Sequence, residues 1–324
     1  MRLLLIRHGE TVDNVAGKYA GITDSALTNH GVLQANRLGS HLAASGVVAS
    51  HIFSSDLQRA VKTADAIRAA QSQSEFSLKE VTKLTLLREQ DFGFYEGKTF
   101  LERSGDSNKT GKDAHIEKHR NDPGFKDVES KDSMKNRMND FINIHLLHLF
   151  QSVEDGETVA VVAHGIILSH LWRCILSRFP SSNVSVDTGV LAPDKMLSLE
   201  YLGGWSNTGY LDLEVKQMTK DVPKGSDVDT SKSTKTETGA IVAPAADVSS
   251  DKNSSASSAL ESIPVVPKAP LPKLSCLSLA VKAVNSLAHL KGLKKTRGGI
   301  GSLKHDSSQK TMDSFFKKRK RESP

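Results

Sequence analysis

Leu4-Leu5-Ile6-Arg7-His8-Gly9-Glu10-Thr11 is the stretch that decides the fold. The apolar run Leu3–Ile6 suits a buried strand of a parallel sheet. It ends in Arg-His-Gly, which delivers a guanidinium and an imidazole to the carboxyl end of a strand. Open α/β sheets place their ligands there. Gly9 allows the backbone to approach a ligand closely. The logic recurs at Thr158–Ala163, a second apolar strand followed by His164-Gly165. Two strands that each end in His-Gly can aim two imidazoles at one point.

Working outward, Gly31–Ala44 carries Val32, Ala35, Leu38 and Leu42 at helical spacing and is closed by Gly46. Ile52–Phe53 is a further short strand. Ser55 or Asp56 is placed to cap a helix running to about Ala70. Ile166–Arg178 reads as a helix after the strand at Thr158–Ala163. Strands that alternate with helices predict a three-layer α/β domain, a mostly parallel sheet with helices on both faces. The polar stretch Gly97–Pro123 reads as an insertion or lid.

The whole chain has 324 residues and a formal net charge of +6, and both figures average two unlike parts. Fifteen of the 17 aromatic residues lie in 1–210, and none occurs from Leu211 to Ser314. Residues 1–215 carry 23 Lys+Arg and 27 Asp+Glu, whereas 216–324 carry 20 and 10. The basic character therefore belongs to the C-terminal third. Within 216–262, 15 of 47 residues are Ser or Thr. Such a segment buries too little apolar area to offset its ordering entropy, so 216–274 is expected to be a disordered linker. Leu277, Val281, Val284 and Leu287 then share one helical face, which predicts a short amphipathic helix over 275–291. The expected organisation is a domain at 1–215, the linker, and a basic tail at 275–324. No run of 18 apolar residues suggests a membrane span, and Met1–Ile6 is too short for a secretory signal. Cys174 and Cys276 have no metal-type spacing, and a disulfide scaffold is excluded.

Two histidines and an arginine suit a phosphoryl group. Arginine holds phosphate oxygens in a fork, and a neutral imidazole can attack phosphorus while nearby cations keep it unprotonated. Arg59, in Ser54-Ser55-Asp56-Leu57-Gln58-Arg59-Ala60, falls in the first turn of a helix, where backbone N–H groups also favour anions. A leaving alcohol needs a general acid. Glu89 is the candidate, with Asp91 and Glu96 as nearby alternatives. His115, His119, His145 and His148 include spacings that suit a metal, but no acidic or Cys partner set accompanies them.

At these positions the chain resembles the histidine phosphatase superfamily, the phosphoglycerate-mutase-like proteins. The matching residues are Arg7-His8-Gly9-Glu10-Thr11 with Asn14, then Gly21, Asp24 and Leu27-Thr28 with Gly31 and Gln34-Ala35. Next come Ser54-Ser55 with Arg59-Ala60, Glu89 with Phe92-Gly93 and Glu96-Gly97, and His164-Gly165. Ala26 stands where the family often has Pro. The resemblance implies the phosphoglycerate-mutase-like fold, with His8 as a nucleophile that forms a phosphohistidine. It further implies that Arg7, Arg59 and His164 bind the phosphoryl oxygens, with Asn14 and Gly21 at the substrate. Glu89 would protonate the leaving oxygen and then activate water. No metal and no cofactor are required. The bisphosphate-holding loop of the mutases is not recognisable after Glu89, and Phe92-Gly93-Phe94-Tyr95-Glu96-Gly97 resembles the phosphatase branch. The expectation is a phosphomonoester hydrolase, with mutase-type transfer or a non-catalytic phosphate-recognising module as alternatives. The substrate is a phosphorylated small molecule or phosphoprotein.

The tail holds a second motif. Gln309, Met312, Phe315 and Phe316 resemble the PIP box, the peptide by which proteins dock on the sliding clamp PCNA. Met312, Phe315 and Phe316 would share one side of a helical or 3₁₀ turn. Lys317-Lys318-Arg319-Lys320-Arg321 follows directly and reads as a nuclear localisation signal or a non-specific nucleic-acid contact. The expectation is a nuclear, also cytoplasmic, enzyme tethered to the clamp, without a membrane partner.

Overall fold

The computed structural model describes residues 1–71, 80–99, 117, 119–152, 156–190, 198–218, 272–294 and 300–306. The chain divides into a unit of Met1–Met218 with Pro272–Pro324 and a unit of Thr219–Leu271. The second unit lies outside the described residues. So do Gln309, Met312, Phe315, Phe316 and Lys317–Arg321, and most of the polar insertion.

Seven strands form one mixed sheet: β1 (Arg2–Arg7), β2 (His51–Ser55), β3 (Thr82–Leu84), β4 (Thr158–Ala163), β5 (Val184–Val186), β6 (Tyr210–Gln217) and β7 (Leu277–Ser286), in the order β3-β2-β4-β1-β6-β7-β5. From β3 to β1 the pairings are parallel. β6 then runs antiparallel to β1 and β7 antiparallel to β6, while β5 pairs parallel with β7. The helices are α1 (Val12–Ala16), α2 (Asn29–Ala44), α3 (Gln58–Ala70), α4 (Lys131–Phe141), α5 (Leu147–Gln151) and α6 (Gly165–Leu176).

Side chains of β1 alternate between two cores, as the strand period demands. Leu3 and Leu5 join Val159, Val161 and Ala163 of β4 beneath α4 and α6, where Met138, Phe141, Leu168 and Leu171 pack. Leu4 and Ile6 join Ala160 and Val162 on the other face, against Leu38 and Leu42 of α2 and Ala60, Ala64 and Ile67 of α3. The sheet is thus covered on both faces, as the unbroken apolar runs of β1 and β4 require. Among the described residues no helix is long and apolar enough to cross a membrane.

The sequence reading is corrected at its C-terminal part. Residues 275–291 do not form a helix; Leu277–Ser286 is strand β7, paired with β6 from Tyr210↔Ser286 to Gln217↔Leu277. Leu277, Leu279 and Val281 alternate at spacing two, and these are the residues that the strand buries. Leu287, counted on the helical face, is 38% exposed. Without β7 the strand β6 would present an open edge of unpaired backbone groups, and pairing outweighs the local helical pattern. The domain therefore does not end at 215. Lys216 and Gln217 belong to β6, and Leu274 is buried in the larger core. Arg178 guides the returning chain: its guanidinium donates to Asn139 and Asn143, and its carbonyl accepts the Leu274 N–H.

The cap of α3 is corrected as well. Neither Ser55 nor Asp56 caps it; Leu57 is the N-cap and makes no side-chain bond. The Gln58 N–H donates instead to Asp24 Oδ1 at 3.0 Å, and Asp56 is taken by a two-pronged pair with Arg88.

Candidate active site

β1 ends at Arg7 and β4 at Ala163, and the two strands are adjacent and in parallel register. That register sets His8 beside His164, with ring centroids 5.0 Å apart and planes at 60°. Both side chains are buried. With Arg7, Arg59, Glu89 and Asn14 they line one cavity of about 640 Å³. The sequence-predicted catalytic residues therefore converge on a single site.

The ring of His8 is held by a 2.7 Å hydrogen bond between Nδ1 and the Gly9 carbonyl. A carbonyl only accepts, so Nδ1 carries the proton and Nε2 is the free base. Burial first, then the Arg59 and Arg7 cations, hold His8 well below the ordinary imidazole value. It is neutral at physiological pH. His164 is arranged the opposite way. Arg59 Nε donates to its Nδ1 at 3.0 Å, so its proton sits on Nε2. Burial, Arg59 and His8 keep this ring neutral too. Its Nε2 is buried, as is Arg7 Nε, and neither has a hydrogen-bond partner among the described residues.

Arg59 spends most of its donors on the protein. Besides His164, it binds the carbonyls of Thr23, Ala20 and Gly21 at 2.7, 3.1 and 2.6 Å. It pins the loop at 20–23 over the site while its charge remains at the cavity. Gly21, read as substrate-binding, does not line the cavity. It fits where a Cβ would lie 1.9 Å from the Gln90 carbonyl, and its carbonyl accepts from Arg59. Glu96, one alternative acid, receives the backbone N–H groups of Gly21, Ile22, Thr23 and Phe92 and is structural. Asp91, the other, pairs with Lys126 and does not line the cavity. Glu89 does line it. Its Oε2 accepts from Ile166 N at 3.0 Å and its Oε1 from Ile167 N at 2.9 Å, fixing the carboxyl on the first turn of α6.

The loop that carries His8 is braced from behind. Thr28 caps α2 and donates to Glu10 Oε1, while the Glu10 N–H donates to Gln34. Gly9 serves this packing rather than approach to a ligand: a Cβ there would lie 2.6 Å from the Gly31 carbonyl. Thr11 caps α1, and Asn14 closes the capping box by accepting the Thr11 N–H on its Oδ1, which also accepts from Asn207 Nδ2 at 3.1 Å. Asn207 also donates to the His8 carbonyl, and Arg7 Nη1 donates to the Trp205 carbonyl. Sequence reasoning missed Trp205 and Asn207. The turn-rich run Gly203-Gly204-Trp205-Ser206-Asn207-Thr208-Gly209 before β6 was the available signal. It also missed the cavity-facing side of α6 beyond Gly165, namely Ile166, Ser169, Trp172 and Arg173.

Comparison with known proteins points to one family. A probable phosphatase of Schizosaccharomyces pombe is 34% identical over 192 residues, covering 54% of this chain. That match spans 56% of the yeast protein, so only about half of this relative's length is represented. A 2,3-bisphosphoglycerate-dependent phosphoglycerate mutase of Corynebacterium diphtheriae is 26% identical over 239 residues, 66% of this chain and 92% of that one. A solved mycobacterial glucosyl-3-phosphoglycerate phosphatase, complexed with VO3, aligns over 66% of this chain and 92% of its own, with a TM-score of 0.46 and 25% identity. The sequence model of the histidine phosphatase superfamily (branch 1) matches residues 3–189, more than half of the chain, including His8 and His164. The chain is therefore an enzyme of the histidine phosphatase superfamily, branch 1.

Proposed function

We propose that this enzyme hydrolyses phosphomonoesters through a phosphohistidine on His8, with no step that needs a metal. The observation that carries the reading is the division of labour between two neighbouring neutral imidazoles. His8 presents a free-base Nε2, while His164 Nε2–H and Arg7 Nε are buried donors without an acceptor among the described residues. Unpaired buried donors are costly, and a phosphoryl oxygen would satisfy both. Their positions suit charge that grows on the phosphoryl oxygens in the transition state.

In the first step the His8 Nε2 lone pair forms a bond to phosphorus as the ester P–O bond breaks. Glu89 gives its proton to the departing oxygen. In the second step Glu89 takes a proton from water, whose oxygen attacks phosphorus. The P–N bond breaks, orthophosphate leaves and neutral His8 returns. Arg7, Arg59 and His164 supply the positive charge and hydrogen bonds throughout.

Phosphate release from a panel of small phosphomonoesters, with and without EDTA, tests the reading in wild type and His8→Ala. Turnover that survives EDTA and is lost in His8→Ala supports it; turnover that survives His8→Ala sinks it. Similarity to phosphoglycerate mutases favours one competing reading, transfer back to bound product. A requirement for bisphosphate priming would establish that reading instead.

A second part of the proposal concerns place. Gln309, Met312, Phe315 and Phe316, followed by Lys317–Arg321, support a nuclear enzyme tethered to PCNA. A labelled 305–324 peptide titrated with purified clamp tests the tether. Equal binding by a peptide with Phe315→Ala and Phe316→Ala would remove it.

A further inference from the structure

The cavity is much larger than a phosphoryl group and its three-carbon esters require, and its far end carries a cation of its own. Gly165, Ile166, Ser169, Trp172 and Arg173 all line it. At 100° per residue these positions fall on one side of α6. The helix therefore forms a continuous wall from the phosphoryl pole at Gly165 to Arg173. Eight residues at 1.5 Å rise separate the two, about 12 Å along the axis. Long helical side chains lean back toward the N-terminus. The span available between phosphorus and the Arg173 guanidinium is thus roughly 8–12 Å.

Arg173 is only partly exposed. Its guanidinium carbon lies 5.9 Å from the centroid of the Tyr201 ring. Among the described residues its guanidinium has no hydrogen-bond or ion-pair partner, and Glu200, which lines the same cavity, makes none with it. Arginine is weakly hydrated and forked, and one held over an aromatic ring is prepared to take an anion. Between the two poles the wall is aromatic: Trp172 is fixed by its bond to the Leu199 carbonyl, and Trp205 donates to Ser169 Oγ at 2.9 Å.

We propose that Arg173 is a second anion subsite. The substrate is then an extended phosphomonoester whose leaving group carries a carboxylate or second phosphate some 8–12 Å from the reacting phosphorus. The inference rests on the phosphatase reading above and narrows its substrate class. With bonds near 1.5 Å, a three-carbon phosphocarboxylate spans only roughly 5 Å and cannot bridge the two poles. A leaving group with an apolar or aromatic middle and an anionic end can.

The test is a series of linear phosphate esters with two to eight methylenes. Each ends in methyl, carboxylate or phosphate, and all are assayed on the full-length chain and on Arg173→Ala and Arg173→Lys. In wild type the anionic end should raise kcat/KM about tenfold over methyl for the longest members, through KM. It should give no gain for the shortest. The carboxylate and phosphate arms tell which anion fits. Arg173→Ala should reduce the advantage to about one, and Arg173→Lys should keep part of it. An advantage that is absent in wild type, independent of length or intact in Arg173→Ala overturns the subsite.

Binding of the same esters to full-length His8→Ala by calorimetry separates the subsite from the phosphatase reading. Arg173-dependent selectivity without turnover in wild type leaves the subsite standing and the hydrolase reading overturned. Turnover without selectivity does the reverse.

Discussion

Arg59 Nε, on α3, donates a 3.0 Å hydrogen bond to Nδ1 of His164, at the end of β4. This bond decides which nitrogen of His164 bears the proton, and so makes its Nε2–H a donor toward the cavity. Arg59 thus acts in three ways: as a charge, as the fastener of the loop at 20–23, and as the selector of a tautomer. Arg59→Lys keeps the charge but cannot repeat the fork. Its kcat/KM for a phosphomonoester should fall by about 10²–10³, the size expected when a transition-state donor is lost. Nitrogen NMR should show His164 no longer confined to one tautomer. Retained tautomer and retained rate together would refute the assignment.

The buried imidazoles set the pH behaviour. Burial and the two arginines hold His8 well below 6.5, so its ring remains a free base as the solution is acidified. The acid limb of kcat/KM, measured at constant ionic strength, should therefore fall well below pH 6.5. Stability follows from His170 and His289, both lowered by burial to about 4. Between pH 6.5 and about 4 the unfolded chain takes up protons at these rings that the folded chain refuses. Stability should thus decline as the pH drops through that window, and denaturant midpoints across it measure the decline.

Arg137 braces Glu89, the proposed general acid, from outside the cavity. It donates to the carbonyls of Leu86 and Arg88 at 2.7 and 2.6 Å and pairs with Glu129 at 2.8 Å, holding the chain that carries Glu89. Arg137→Met should slow hydrolysis of alkyl phosphates by about 10²-fold but that of p-nitrophenyl phosphate only a few-fold, because nitrophenolate departs without a proton. The leaving-group slope is the measurement. A uniform loss across the series would mean that Arg137 is only structural.

β7 makes the returning chain part of the domain. A chain cut after residue 218 would leave β6 as an open edge and β5 without its partner, and should be insoluble or unfolded. By contrast, Gln217 pairs with Leu277 and the Met218 N–H donates to the Cys276 carbonyl, so the two strands meet side by side. Replacing 220–270 with a short hairpin turn should keep the fold and the activity. Thermal melts and phosphate release on both variants check the pair of outcomes.

Much of the site was legible because catalysis and folding use the same residues. An apolar strand ending in Arg-His-Gly has few alternative meanings, and its repetition at His164-Gly165 marks the partner strand. Glu89 was distinguishable from Asp91 and Glu96 only once their partners were seen: Lys126 occupies Asp91, and four backbone N–H groups occupy Glu96. Gly21 and Gly9 were misread as ligand-facing. Close approach looks the same in sequence whether the neighbour is a substrate or, as here, Gln90 and Gly31.

By itself the sequence determined the parallel half of the sheet, the helices on its two faces, and the set His8, Arg7, Arg59, Glu89 and His164 that the fold brings to one cavity. These are properties of local pattern: strand period, helix period, and residue type at an element's end. Only the tertiary structure decided that 277–286 is a strand, because its helical and strand periodicities compete and the open edge of β6 settles the matter. Only it decided that the His164 ring is a donor toward the cavity, since Arg59 Nε reaches it across the fold, whereas the Gly9 carbonyl that selects the His8 tautomer belongs to the next residue in the chain. The wall of α6 that ends at Arg173 belongs to the same class. A helix face has no function until the sheet and the 198–205 segment close a cavity around it.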